Sequence, residues 1–127
     1  MTTRRTSTAR RRRGRAAAAL GAIDPLLAPV AAAFSGERRV SRRRMFSSDS
    51  ALSVDGRIFA MLVRGRFVAK LPRDRVDALV RAGTGERFDP GHGRLMKEWI
   101  AVPPGPADWV ALAKEAFRWV RTGGRTD

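Results

Sequence analysis

The sequence predicts a two-layer α+β domain: a mostly antiparallel sheet of about five strands, meander first, with helices packed mainly on one face. Three observations carry this expectation. Asp55-Gly56 divides two apolar runs and Arg64-Gly65 divides the second from a third, so residues 51–71 predict consecutive hairpins. Trp109, Leu112, Ala113, Ala116, Phe117 and Val120 fall at helical spacing and make one apolar stripe. The order of elements is helix, meander, helix, strand, helix, which is neither an alternating βα pattern nor an all-helical one.

The first helix is expected from Asp24 as N-cap and Pro25 at the first helical position, with Leu26, Leu27, Val30, Ala33 and Phe34 on its apolar face and Gly36 at its end. Pro29 should kink or shorten it. Strands follow at residues 40–46, 51–54, 57–63 and 67–71. The run Ile58-Phe59-Ala60-Met61-Leu62-Val63 is apolar on both faces, which predicts a central strand. Pro72 opens a second helix that reaches Ala82, with Val76, Leu79 and Val80 inward and Gly83 as its cap. Residues 83–93 are rich in Gly and Pro and read as a loop anchored by Phe88. Residues 94–102 predict a strand, with Leu95, Trp99 and Ala101 on one face and Met96, Ile100 and Val102 on the other. Pro103-Pro104-Gly105-Pro106 stops it, and the last helix occupies about 107–122.

The chain has 127 residues, enough for one domain with one core. It contains no cysteine and a single histidine, His92, which excludes disulfides, thiolate metal sites, cysteine nucleophiles and multi-histidine metal centres. The net charge is +14, and residues 1–44 carry +10 of it. Such a charge favours polyanionic partners without specifying a fold. No apolar run approaches the roughly 20 residues that span a bilayer. A basic start and Ala31-Ala32-Ala33 faintly match an export signal. The apolar run at 16–23 is short and broken by Asp24-Pro25, so a cytoplasmic location is expected. Residues 1–22 predict a disordered Arg-rich tail, 23–122 the domain, and 123–127 a short C-terminal tail.

Arg38, Arg39, Arg42, Arg43 and Arg44 place five arginines in seven residues. On a strand, Arg39 and Arg43 point one way with Ser41. Two readings stand side by side: protection of an edge strand, or a groove for phosphates extended by Arg57, Arg64, Arg66, Arg94 and Lys97. Trp99, Trp109 and Phe117 fit a core better than a base-stacking platform. The tail arginines, among them Arg10, Arg11, Arg12 and Arg13, either bind nucleic acid without sequence preference or form a nonfunctional extension. His92, in Asp89-Pro90-Gly91-His92-Gly93-Arg94, reads as a turn residue rather than a general base. Gly83-Thr84-Gly85 and Gly91-His92-Gly93 lack the strand-before, helix-after setting of a phosphate-binding loop. Asp74 and Asp77 lie three apart on an exposed, charge-mixed helix face.

Arg44, Met45, Phe46, the Asp55-Gly56 turn, Phe59, Ala60 and Lys70 stand in an order that resembles the N-terminal domain of the TfoX/Sxy family. Phe88, Gly93, Arg94, Met96, Trp99 and Pro103 resemble the second half of that domain, so the likeness covers about residues 23–122. Ser47-Ser48 stand where the family commonly has two glycines, and a stand-alone N-terminal domain is expected, without the second, helical domain of the longer competence regulators. The resemblance implies a noncatalytic domain with no cofactor, and the reading drawn from it is a bacterial regulatory or adaptor-type domain that acts through protein contacts near nucleic acid; the residues themselves predict no membrane span and allow a monomer or a dimer. The alternative drawn from the residues is a direct, nonspecific nucleic-acid binder that uses Arg10 to Arg13, Arg39 and Arg43. A small enzyme is disfavoured by the inventory of side chains.

Overall fold

Pro29 decides where the first helix begins, because a proline inside a helix lacks the bonding N–H and crowds the carbonyl four residues back. The computed structural model describes residues 23–45, 48–91, 93 and 95–123, and the side chains of all these except 44, 45, 48 and 49. In it α1 spans Ala28–Ala32, with the proline in its first turn. The expected start at Asp24 is thus corrected. Asp24 instead closes a turn: its carboxylate accepts from the Leu26 N–H at 2.9 Å, and its carbonyl accepts from Leu27 and Ala28 at 2.9 and 3.1 Å.

The strands are β1 (Val40–Met45), β2 (Ser48–Val54), β3 (Arg57–Val63), β4 (Arg66–Lys70), β5 (Glu86–Phe88) and β6 (Met96–Val102). They form one sheet in the order β1-β2-β3-β4-β6-β5, and every neighbouring pair is antiparallel. Six strands, rather than about five, make the sheet. The addition is β5, three residues of the segment read as a loop. The last expected strand begins at Met96, and Leu95 before it is 56% exposed. Both expected hairpins have the left-handed backbone that a type I′ turn requires: φ is 52° and 82° at Asp55 and Gly56, and 52° and 77° at Arg64 and Gly65.

Two further helices are α2 (Arg73–Arg81) and α3 (Trp109–Arg121). Gly83 (φ 76°) donates to the Val80 carbonyl and Thr84 to that of Leu79, each at 3.0 Å. That pair of bonds is the Schellman closure that glycine past a helix end permits. Asp108 caps α3, its Oδ1 accepting from the Ala111 N–H at 3.1 Å. Asp108→Ala should therefore lower stability by about 1 kcal/mol in chemical denaturation.

The main core lies between the sheet and the helices. Leu27 and Val30 from the α1 region, Val76 and Leu79 from α2, and Leu112, Ala113, Ala116, Phe117 and Val120 from α3 pack on Leu52, Val54, Phe59, Phe67, Ala69, Ile100 and Val102 of the sheet. Phe67 stacks on Trp109 with ring centroids 5.4 Å apart. A smaller cluster of Ala51, Met61, Val68, Phe88 and Ala101 lies on the other sheet face. Strand alternation sorts these two sets, with Ile100 and Val102 toward the helices and Trp99 and Ala101 away.

Candidate nucleic-acid interface

β1 and β5 are the two outer strands of the sheet. An outer strand leaves a row of backbone groups unpaired, and charge along it discourages the addition of another strand. On β1, Val40 faces Val54, Ser41 faces Ser53, Arg42 faces Leu52 and Arg43 faces Ala51. Leu52 and Val54 belong to the helix-side core and Ala51 to the opposite cluster. Val40 and Arg42 therefore share the helix side, while Ser41 and Arg43 share the other, as alternation predicts. Arg43 is exposed and Arg42 half-buried.

Arg39 departs from expectation. Its Nε donates to both Asp55 carboxylate oxygens, at 2.9 and 3.0 Å, and its Nη2 donates to Oδ2 as well. The Asp55 N–H also donates to the Arg39 carbonyl at 3.1 Å. Arg39 is thus held by the tip of the β2–β3 hairpin and is no free partner for Arg43. The pairing of β1 with β2 brings together two residues sixteen apart in sequence. Bidentate geometry of this kind suits an arginine and a carboxylate.

The hydrogen bond from Arg39 holds the Asp55 carboxyl below its ordinary value of 3.8, although partial desolvation opposes the shift. The same contact raises Arg39. Folded Asp55 consequently binds fewer protons than unfolded Asp55 between the two values. The stability it contributes is complete above 3.8 and is lost as pH falls through the lower, folded value. Thermal unfolding of the parent and Asp55→Asn at several pH values should show a gap that is full well above pH 3.8 and closes as the pH falls below it.

The expected extension of the arginine patch is broken up. Arg57 and Arg64 stand at opposite ends of β3, about 23 Å apart along the strand. Arg57 donates to the Gly123 carbonyl at 3.2 Å, which ties the β2–β3 hairpin to the end of α3. Arg64 donates to the Asp89 carbonyl at 2.8 Å, and Arg66 reaches Glu86 at 3.4 Å. Lys97 is exposed. Arg10, Arg11, Arg12, Arg13, Phe46, His92 and Arg94 lie outside the described residues.

The other residues of the family-like pattern fall on distinct elements. Arg44 and Met45 end β1, Asp55 and Gly56 form the hairpin turn, Phe59 and Ala60 lie within β3, and Lys70 ends β4. Met96 opens β6, and Gly93 lies in the loop before it. Trp99 sits on the sheet face away from the helices, with the Lys70 ammonium 5.8 Å from its ring centroid. Trp109 and Phe117 pack in or against the helix-side core, as expected.

Sequence reasoning passed over one group. Lys114, Arg118 and Arg121 are exposed on α3 at positions i, i+4 and i+7, and all three line one cavity of about 330 Å³ against the turn after α1. Their spacing is legible in the sequence, but cations in the last turns of a helix also complement its dipole, so the spacing alone does not mark a site. A larger groove, about 580 Å³, lies between α2 and α3 under Pro103 to Pro106. Its polar side is occupied by Arg75 and Glu115, bonded at 2.8 and 3.1 Å, and this contact raises Arg75.

Among the described residues, no three His, Asp or Glu side chains gather as a metal-holding group, and no helix is long and apolar enough to cross a membrane. No family model matches the chain, and neither a curated protein nor a solved structure matches it.

Proposed function

We propose that this chain is a noncatalytic regulatory or adaptor-type domain of the TfoX N-terminal kind whose contact with nucleic acid is direct and independent of sequence. The observation that carries the reading is the gathering of cations around one corner of the fold. Lys114, Arg118 and Arg121 lie on α3, whose end Arg57 touches from the β2–β3 hairpin, and Arg38 stands just before the outer strand; Arg39 is paired with Asp55, and Arg43 lies further along that strand on the sheet face away from the helices. Glu37 and Asp55 are the acids placed among them. Clustered cations of this kind draw the phosphate backbone by releasing its counterions, which yields affinity without base readout. The family resemblance is supported by the order of elements that its motif residues occupy, above all the Asp55-Gly56 turn between β2 and β3.

The full chain should bind a labelled duplex with micromolar affinity at about 50 mM salt and lose roughly tenfold or more by 200 mM. Arg43→Ala should reduce the slope of log affinity against log salt by about 0.9, the share of one phosphate contact. Absence of measurable DNA or RNA binding at the lower salt would overturn the proposal and leave contacts with a protein partner as the function of the domain.

A further inference from the structure

The geometry points to the groove between α3 and the turn after α1 as the seat of a phosphodiester strand, with Lys114, Arg118 and Arg121 as its phosphate contacts. This inference rests on the nucleic-acid reading above and names the surface that carries it. α3 sorts its charges by direction. Glu115 turns toward α2 and bonds Arg75, whereas the three cations turn toward the α1 side and line the groove. Among the described residues, none of the three meets a carboxylate at ion-pair distance.

Phe34 and Phe117 form the floor, both nearly buried. Their rings make a low-dielectric wall beneath the cations, which focuses the positive field outward. The Arg121 guanidinium stands 5.6 Å from the Phe117 ring centroid, a contact that holds it over the groove. Glu37 is the acid at the rim, and it also acts on Arg39, whose protonated form it favours. Three cations against one carboxylate leave the groove positive.

The spacing fits a strand rather than a single ion. At a rise of about 1.5 Å per residue, Lys114 and Arg121 stand about 10 Å apart along α3. That length reaches past one phosphate to its neighbour along a strand. An anionic membrane surface fits less well. The apolar side of α3 is spent on the core, and the aromatic residues of the groove form its floor rather than project from it.

The test uses the full chain, a labelled 20-base-pair duplex and binding measured across a salt series. Lys114→Gln, Arg118→Gln and Arg121→Gln together should reduce the salt slope by about 2.7, three contacts at 0.9 each, and weaken binding at least tenfold. Arg73→Gln and Arg81→Gln together remove exposed charge from α2, away from the groove, and should leave the slope within about 0.5 of the parent. Circular dichroism melts confirm that both variants fold, as Gln keeps a good helix propensity. Equal losses per charge removed in the two variants, or no loss from the α3 variant while the parent binds, would overturn the groove and leave the broader function standing. A parent that binds no duplex but binds vesicles of anionic lipid would overturn both.

Discussion

Phe59→Ala should lower the unfolding free energy by about 3–5 kcal/mol, the largest loss expected from any single change in this chain. Phe59 has no exposed surface and closes a triangle of rings from three separate segments. Its ring meets Phe34 edge-on at 5.2 Å and Phe117 edge-on at 5.7 Å, and Phe34 and Phe117 lie 5.3 Å apart. Each such aromatic contact adds about 0.5–1.5 kcal/mol beyond the area it buries. The strand position explains why the ring can reach both the turn after α1 and the middle of α3. β2 and β3 shift register between Leu52 and Ser53, and Phe59 and Ala60 both join the helix-side core although adjacent strand residues ordinarily point apart. Urea unfolding followed by tryptophan fluorescence would measure the loss. Phe59→Leu, which keeps most of the volume, should cost less than half as much. A loss below about 1 kcal/mol for Phe59→Ala would mean that the three segments are stabilised independently of their shared rings.

The parts of this fold that were legible in the sequence are those set by local chemistry. The stripe of α3 is local, and Leu112, Ala113, Ala116, Phe117 and Val120 are all buried where the spacing put them. The Asp55-Gly56 and Arg64-Gly65 turns are also local, because a glycine takes the second of the two positive-φ positions in each. What escaped depends on partners distant in sequence. Glu86–Phe88 is too short to show a period, and it is a strand because β6 offers it a partner row. Arg39 looked equivalent to Arg43 because both have the same parity. The hairpin then delivered Asp55 to one of them. Lys114, Arg118 and Arg121 had a readable spacing, but a groove needs a second wall, and the turn after α1 supplies it only in the folded chain.

Gly85→Ala should cost about 3 kcal/mol, for a reason that neither turn chemistry nor helix capping supplies. A methyl group added at Gly85 would stand 2.4 Å from the Ala101 carbonyl oxygen and 3.1 Å from a methyl of Val102. The first of these is backbone in the interior of the sheet, where β6 is paired on both sides, with β4 and with β5. Relief therefore requires β5 to retreat from β6, and loss of close packing in a well-filled interior costs about 1–3 kcal/mol. The backbone angle of Gly85 is not left-handed, so the glycine serves close approach rather than unusual φ. Gly105→Ala is the matched control: nothing lies within 4 Å of its added methyl and its φ is likewise ordinary, so it should change stability by less than about 0.5 kcal/mol. The effect should also be local. Hydrogen exchange in Gly85→Ala should quicken first at β5 and the end of β6 that faces it, while the Asp55-Gly56 hairpin keeps its protection. A uniform rise in exchange across the sheet would instead show that β5 is integral to the cooperative unit. The three residues that the sequence presented as loop would then hold the far edge of the sheet together.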